Sequence, residues 1–201
     1  MFGSSYGLFP MPELTTDRLL LRKITMKDAP DIFDYSRDPE VARYVLWSAQ
    51  KNLREAKEFC RYEQHRYRAD EPSSWGIILR ATGRLMGTIG YMQYDEDNAT
   101  VEVGYSLARS LWGQGLMTEA LGRVIGYTFE TMDVNRIEAQ HELKNPASGR
   151  VMEKCGMKRE GILRQRLYNK GTYRDVALYA ILAGDPRPQG AAQPEPPGGA
   201  S

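Results

Sequence analysis

Apolar residues recur along this chain at two spacings, and these spacings predict most of its secondary structure. Between residues 99 and 107 apolar and polar positions alternate, which is typical of a strand with one buried face. From about residue 114 to 132 the spacing becomes that of an amphipathic helix. The apolar face of this helix is formed by Leu116, Met117, Ala120, Leu121, Val124, Ile125 and Phe129.

The same criteria divide the rest of the chain, with turn signals at 82–84, 95–98 and 170–171. They predict further strands at 18–24, 75–81, 85–94, 136–142, 158–169 and 173–182, and helices at 27–36, from Asn52 onward and at 145–155. The order is strand, two helices, three strands, helix, strand, helix and two strands. It predicts an α/β (α+β) fold, in which a mixed, largely antiparallel central sheet has helices on both faces.

A length of 201 residues without an internal repeat fits one domain, which we assign to residues 14–184. Residues 1–13 lack periodicity and are expected to form a flexible leader, whereas the Pro- and Gly-rich residues 185–201 are expected to be disordered. A balance of 27 basic and 26 acidic residues does not favour a nucleic-acid partner. With neither a membrane-length apolar run nor a signal-peptide pattern, we expect a cytoplasmic monomer or homodimer with no membrane contact.

Cysteine and histidine usage gives no sign of a metal site. Cys60 and Cys155 lie far apart, and with only His65 and His141 to add they show no metal-ligand spacing. We interpret both cysteines as packing residues and expect no metal.

A glycine pair stands between the predicted strand at 99–107 and the helix that follows it, in Trp112-Gly113-Gln114-Gly115. A helix N-terminus presents unpaired N–H groups and the positive end of the helix dipole. Glycines tolerate the tight turn and remove side chains that would keep an anion away from those N–H groups. The motif therefore predicts a site for a pyrophosphate, although a strand-to-helix turn without a ligand would show the same glycines.

Several motifs agree in order and spacing with one enzyme family. Over residues 14–182 the chain closely resembles the GCN5-related N-acetyltransferases (GNAT), and within them the branch of bacterial acetyltransferases that modify the N-termini of ribosomal proteins. The resemblance is carried by residues 101–107, by Trp112-Gly113-Gln114-Gly115 with Thr118-Glu119-Ala120, by Asn145 and Ser148, and by residues 152–157.

The resemblance implies acetyl-CoA as co-substrate and assigns residues to it. Its pyrophosphate would lie on the backbone of Gln114, Gly115, Leu116, Met117 and Thr118, and its pantetheine arm on backbone groups of Tyr105, Ser106 and Leu107, close to Asn145. Met117 is bulkier than the small residue that the family usually has there. Arg109 and Arg150 are weaker candidates for contact with a coenzyme phosphate.

The resemblance to this family also implies two catalytic residues. Glu102 matches a strand carboxylate that several relatives use as a base or to position water, with Glu138 and His141 as weaker alternatives. Ser148 would protonate the departing thiolate. A solvated strand carboxylate and a helix-capping role for Asn145 and Ser148 remain as alternative interpretations.

The acceptor pocket of this branch corresponds to the segment of Tyr44 and Trp47, with Tyr168 on the opposite wall. An α-amine has an unperturbed pKa of about 7.7 to 8.0, whereas that of lysine is about 10.4, so a weak base suffices for the α-amine. We therefore expect an N-terminal α-amine of a protein or peptide as acceptor. A small-molecule amine remains as an alternative acceptor, and an acyl-CoA-binding regulatory module without turnover remains as an alternative function. A dinucleotide-binding module is disfavoured because this chain lacks the third glycine of that motif.

Overall fold

The structure, a computed structural model, describes residues 7–188. Eight strands are present: β1 (Leu14–Thr15), β2 (Leu19–Lys23), β3 (Ser74–Leu79), β4 (Arg84–Asp95), β5 (Thr100–Leu107), β6 (Arg136–Glu142), β7 (Lys158–Asn169) and β8 (Thr172–Leu182). The α-helices are α1 (Ala29–Ser36), α2 (Pro39–Ala42), α3 (Leu53–Ala69), α4 (Leu116–Thr131) and α5 (Pro146–Lys154). Single 3-10 turns at Met26–Asp28 and Arg109–Leu111 precede α1 and follow β5.

The predicted fold class is confirmed. The strands form one sheet in the order β1-β2-β3-β4-β5-β6-β8-β7, and every neighbouring pair is antiparallel except β5 and β6. The structure adds two short elements that the sequence pattern did not indicate, β1 and α2. They have two and four residues, about one period each, so no repeat of apolar positions can reveal them.

Helices cover both faces of the sheet, and each face has its own apolar core. One core contains Leu19, Leu21 and Ile77 with the apolar stripe of α4. The other contains Ile78 and Leu85 with residues of α1 and α3. Adjacent residues such as Ile77 and Ile78 fall in different cores because side chains alternate across a strand.

The parallel strands β5 and β6 separate part-way along their length. Their pairing covers Thr100↔Arg136, Val101↔Ile137 and Glu102↔Glu138 and ends there, while β5 continues to Leu107 and β6 to Glu142. Beyond Glu102 the sheet therefore has a gap in its middle, whose edges carry backbone groups that no neighbouring strand pairs. Below, "the β5–β6 gap" denotes this opening.

The expectation of a flexible leader is wrong for its described part, residues 7–13. Phe9 and Met11 are buried in the α4-side core, and Phe9 packs against Tyr91 at a ring-centroid distance of 5.6 Å. The indole N–H of Trp75 donates to the Pro12 carbonyl at 2.7 Å. The segment lacks periodicity because it inserts single apolar side chains into the core without forming a regular element; residues 1–6 lie outside the described chain.

The expected disordered tail is described only at its start, residues 185–188. Asp185 accepts hydrogen bonds from the Leu182 N–H at 3.0 Å and the Lys158 ammonium at 2.6 Å. Its first residue is thus attached to the sheet, and residues 189–201 lie outside the described part. None of the helices within residues 7–188 combines the length and the apolar character needed to cross a bilayer.

Candidate active site

Residues 112–119, called the glycine turn below, lead from the 3-10 turn after β5 into the first turn of α4. Gly113 and Gly115 have φ of 75° and 77°, a conformation that L side chains adopt only with strain, and Gly115 is the N-cap residue of α4. The first N–H groups of α4 have no carbonyl of a preceding turn to bind. Met117 is buried in the core, so its side chain packs inside the protein and not over this helix end.

A carboxylate in the first turn of α4 connects the glycine turn to the loop between β1 and β2. Glu119 accepts from the Thr16 hydroxyl and from the backbone N–H and guanidinium of Arg18, and these contacts hold its pKa below its usual range. Arg18 also donates to the Gln114 carbonyl at 2.9 Å. The turn is thus fixed from outside, and a guanidinium lies beside the helix end where an anion would bind.

Backbone groups at the edge of β5 face the β5–β6 gap. Ala108 donates its N–H to Met86 on β4 at 2.8 Å, and backbone groups alternate sides along a strand. The groups of Ser106 therefore point toward β4, and those of Tyr105 and Leu107 point into the gap. The Leu107 carbonyl accepts the Trp112 indole N–H at 2.8 Å, so this tryptophan connects the glycine turn to the edge of the gap.

A cavity of about 480 Å³ opens on this gap. Drug-sized ligands occupy pockets of about this size. Seven of the predicted site residues line it together, namely Tyr44, Trp47, Glu102, Tyr105, Ser106, Asn145 and Ser148. They come from the segment after α2, from β5 and from the start of α5, so only the fold brings them to one cavity.

Two hydroxyl groups meet across the gap. The Tyr105 phenol lies 2.9 Å from the Ser148 hydroxyl and 3.1 Å from the Ser148 carbonyl oxygen. Burial raises the pKa of Tyr105, so this phenol stays protonated near neutral pH. The sequence assigned Tyr105 only through its backbone, because residues 43 positions apart give no local sign that their side chains meet.

The carboxylate of Glu102 lies at the last paired position of β5 and β6. The Gln140 side-chain amide donates to it at 2.9 Å. Burial raises the pKa of Glu102 above its usual range, with a smaller contribution in the same direction from Glu138, whereas the Gln140 hydrogen bond lowers it. A carboxylate whose pKa is shifted toward neutrality is better matched to accept a proton from an amine than an ordinary one.

The comparison with known families decides the class of this site. The family model described as "Acetyltransferase (GNAT) domain" matches residues 18–158. The chain belongs to the GNAT family and is an N-acetyltransferase. The resemblance in the sequence is therefore confirmed at the level of family and enzyme class.

Individual relatives match this chain over more of its length than the family model does. The N-acetyltransferase YoaA of Bacillus subtilis, itself uncharacterized, is 34% identical over 171 residues, 85% of this chain and 97% of that protein. The "[Ribosomal protein uS5]-alanine N-acetyltransferase" of Escherichia coli is 28% identical, with 92% of this chain and 97% of that protein covered. The structure of RimL, a ribosomal L7/L12 alpha-N-protein acetyltransferase in complex with coenzyme A, has the same fold at 20% identity, with a TM-score of 0.75 over 84% of this chain and 96% of that one.

Some predicted residues lie away from the cavity of this acetyltransferase. Tyr168 is 63% exposed and packs edge-to-face against Tyr173 at a ring-centroid distance of 5.0 Å, and its neighbour Leu167 lines the cavity. Because consecutive strand residues point to opposite faces, the structure does not bring Tyr168 to the cavity wall with the other predicted residues. Of the weaker candidates, Glu138 binds Arg136 at 2.6 Å and Arg109 binds Asp38 at 2.8 Å.

The two cysteines have no role in the cavity of this enzyme. Cys60 and Cys155 are both buried, and burial raises the pKa of their thiols to about 11 and about 12. The Cys155 thiol donates to the Thr118 carbonyl at 3.3 Å and so packs α5 against the first turn of α4.

The sequence missed the residues that hold the Tyr44–Trp47 segment in place. Asn169 donates to the Val45 carbonyl at 3.2 Å and to the buried carboxylate of Glu142 at 2.8 Å. The Lys170 ammonium donates to the carbonyls of Ala42 at 2.8 Å and Val45 at 2.6 Å. Asn169-Lys170-Gly171 gave a turn signal, but the carbonyls of Ala42 and Val45 lie more than 120 residues earlier in the chain, a distance that no local pattern spans.

Proposed function

We propose that this acetyltransferase transfers the acetyl group of acetyl-CoA to the N-terminal α-amine of a peptide or protein, such as a ribosomal protein. One observation carries the proposal: a single cavity at the β5–β6 gap holds a half-buried carboxylate, Glu102, and a hydroxyl pair, Tyr105 and Ser148. Two relatives that are named for ribosomal-protein substrates support the class of acceptor.

The residues present fit acetyl-CoA on its pyrophosphate side. The accessible N–H groups from Gln114 to Thr118 and the helix dipole favour the pyrophosphate. The guanidinium of Arg18 beside this helix end adds positive charge there. Since backbone groups make these contacts, the side chain of Met117 does not disturb them.

The β5–β6 gap then fits the pantetheine arm and the thioester. The backbone groups of Tyr105 and Leu107 that point into the gap can form hydrogen bonds with the arm, as they would with a strand placed between β5 and β6. Asn145 lies next to this position. An N–H at this edge can also hold the carbonyl oxygen as negative charge develops on it. This arrangement directs the acetyl group into the cavity.

On the acceptor side, Glu102 takes the proton of the amine. The amine nitrogen attacks the thioester carbonyl carbon, the C–S bond breaks, and the proton released from nitrogen passes to the Glu102 carboxylate directly or through water. An α-amine has a pKa of about 7.7 to 8.0, so a large share is already neutral near pH 7.5. One buried carboxylate is therefore sufficient for this acceptor.

The departing thiolate receives its proton from the Ser148 hydroxyl, backed by the Tyr105 phenol 2.9 Å away. Because the pKa of the phenol is raised by burial, the pair carries a proton throughout the neutral range. The aromatic side chains of Tyr44 and Trp47 form part of the wall against which the residues after the acceptor amine would pack.

The proposal is tested by incubating the purified full-length chain with acetyl-CoA and short peptides, with thiol release as the rate and fragmentation mass spectrometry to locate the acetyl group. We expect acetyl groups on free N-termini and much slower transfer to lysine side chains of N-terminally blocked peptides. A preference for blocked lysine peptides, or for a polyamine over every peptide, would replace the α-amine by the small-molecule or lysine alternative. Coenzyme binding without thiol release for any amine would favour the regulatory module.

A further inference from the structure

An arginine on α3 lines the same cavity as Glu102 with unused hydrogen-bonding capacity. The side chain of Arg66 is 13% exposed, and it lines the cavity beside Ser74. Within residues 7–188 its guanidinium forms no hydrogen bond with good geometry, and its one ion pair is a long contact with Glu63. The nearest carboxylate oxygen, on Glu63, is 3.8 Å away, and the Tyr62 ring centroid is 5.2 Å from the guanidinium carbon.

The carboxylates that line the cavity are, by contrast, each bound by a donor from the protein. Glu63 accepts from the Ser74 N–H at 2.8 Å, Glu102 from Gln140 at 2.9 Å and Glu142 from Asn169 at 2.8 Å. An arginine carries five N–H donors in a planar fork that matches a carboxylate. The long ion pair with Glu63 leaves donors of Arg66 free, and a carboxylate that enters the cavity lined by Arg66 can bind them.

We propose that Arg66 is an anion subsite of the acceptor pocket, which binds a carboxylate carried by the acceptor close to its amine. The inference rests on the proposed function, since it specifies which α-amine substrates are favoured: peptides with Asp or Glu among their first residues. The carboxylate of such a peptide replaces the acceptors that the protein does not supply to Arg66. Glu102, on β5, accepts the proton of the amine, and Arg66, on α3, binds the carboxylate of the acceptor.

The test compares acceptors that differ only in a carboxylate. One series consists of pentapeptides with a free N-terminal Ala and a single Asp or Asn at position 2, 3 or 4. A second pair is phenylalanine and 2-phenylethylamine. Each is assayed with acetyl-CoA for kcat/KM by thiol release, using wild type, Arg66→Gln, Arg66→Lys and the control Arg68→Gln, which removes an exposed arginine of the same helix that does not line the cavity.

In wild type we expect about a tenfold preference for Asp over Asn at one position, as a charge-assisted hydrogen bond supplies. Arg66→Gln should abolish this preference and leave the KM for acetyl-CoA unchanged, Arg66→Lys should restore part of it, and Arg68→Gln should keep it. A structural role for Arg66 would instead lower activity on the Asp and Asn peptides alike. Melting temperatures show whether each variant is folded.

The outcomes separate this subsite from the proposed function. Peptides acetylated equally well with Asp and Asn by wild type, or a preference that survives Arg66→Gln, would overturn the subsite while the α-amine acceptor stands. Acetylation of phenylalanine over 2-phenylethylamine, dependent on Arg66 and without transfer to any peptide, would support the subsite and overturn the protein acceptor.

Discussion

The glycine turn and the acceptor cavity are the two halves of the active site that we propose, and they are built in different ways. The glycine turn consists of consecutive residues, 112–119, whose function depends on backbone N–H groups and on two glycines at positive φ. The cavity draws its side chains from α1, α3, β3 to β8, α5 and the segment after α2. A backbone site tolerates side-chain variation such as Met117, whereas a side-chain site depends on each residue and on the contacts that place it.

This difference predicts how the two halves respond to substitution. Changes in the glycine turn should act through backbone conformation and alter binding of the coenzyme. Changes in the cavity should act through the chemistry of single side chains and alter the turnover or binding of the acceptor. The following substitutions test that separation, and the strongest predicted loss comes first.

Glu102→Gln should lower kcat/KM for a peptide acceptor by about a hundredfold, at the lower end of the contribution of a general base. The affinity for acetyl-CoA should not change, because Glu102 does not touch the glycine turn. In wild type the rate at subsaturating peptide should rise with pH and level off near 8, as the amine itself loses its proton. Pre-steady-state acetyl transfer measured from pH 6 to 9 checks the loss of rate in the variant and the pH dependence in wild type.

Glu138→Gln provides the matched control, because Glu138 faces Glu102 in the strand register but does not line the cavity. It should retain most of the activity. Equal losses in the two variants would show that carboxylates at this register matter for the sheet and not for proton transfer.

Gly115→Val should raise the dissociation constant of acetyl-CoA at least tenfold, or by about 1.4 kcal/mol. Its φ of 77° is strained for a β-branched residue, so the turn must change and move the N–H groups away from the pyrophosphate. Isothermal titration calorimetry checks the affinity. Gly122→Ala is the control, since an added Cβ at this position inside α4 meets no atom within 4 Å. Unchanged affinity in a folded Gly115→Val variant would remove the site from the glycine turn.

Ser148→Ala should lower kcat roughly five- to tenfold and change the KM for acetyl-CoA less, because proton donation to the thiolate matters mainly in the transition state. Tyr105→Phe, which keeps the ring, should have a similar effect. If the two hydroxyls act as one proton donor, the double variant should be no worse than either single variant. Additive losses, or a loss of coenzyme affinity alone, would assign Ser148 to capping or binding.

Lys170→Met should raise the KM for the peptide acceptor about threefold, or roughly 0.7 kcal/mol, and leave that for acetyl-CoA unchanged. The variant removes two hydrogen bonds to carbonyls of the segment that carries Tyr44 and Trp47. Lys170→Arg should recover part of the effect, and Lys57→Met on the exposed face of α3 is the control. A change in both Michaelis constants would indicate a general loss of structure.

The order of the main strands and helices, the glycine turn and the family could all be predicted from the sequence. Each of these follows from neighbouring residues: alternation at 99–107, helical spacing after Gly115, and a glycine pair between them. The same local motifs, through the resemblance, also named Glu102, Asn145 and Ser148, which do line one cavity. Local patterns suffice here because strand alternation, helix periodicity and turn conformation are properties of a few consecutive residues.

Which side chains are in contact could be seen only in the folded structure. Phe9 packs in the core although its segment has no pattern, and Tyr168 pairs with Tyr173 on the face opposite the cavity. The contact of Tyr105 with Ser148, the attachment of Val45 by Asn169 and the position of Arg66 on the wall of the Glu102 cavity all arise between elements distant in the chain. Their physical origin is the split of β5 from β6 and the packing of helices over it, which depend on the whole sheet and not on any one segment.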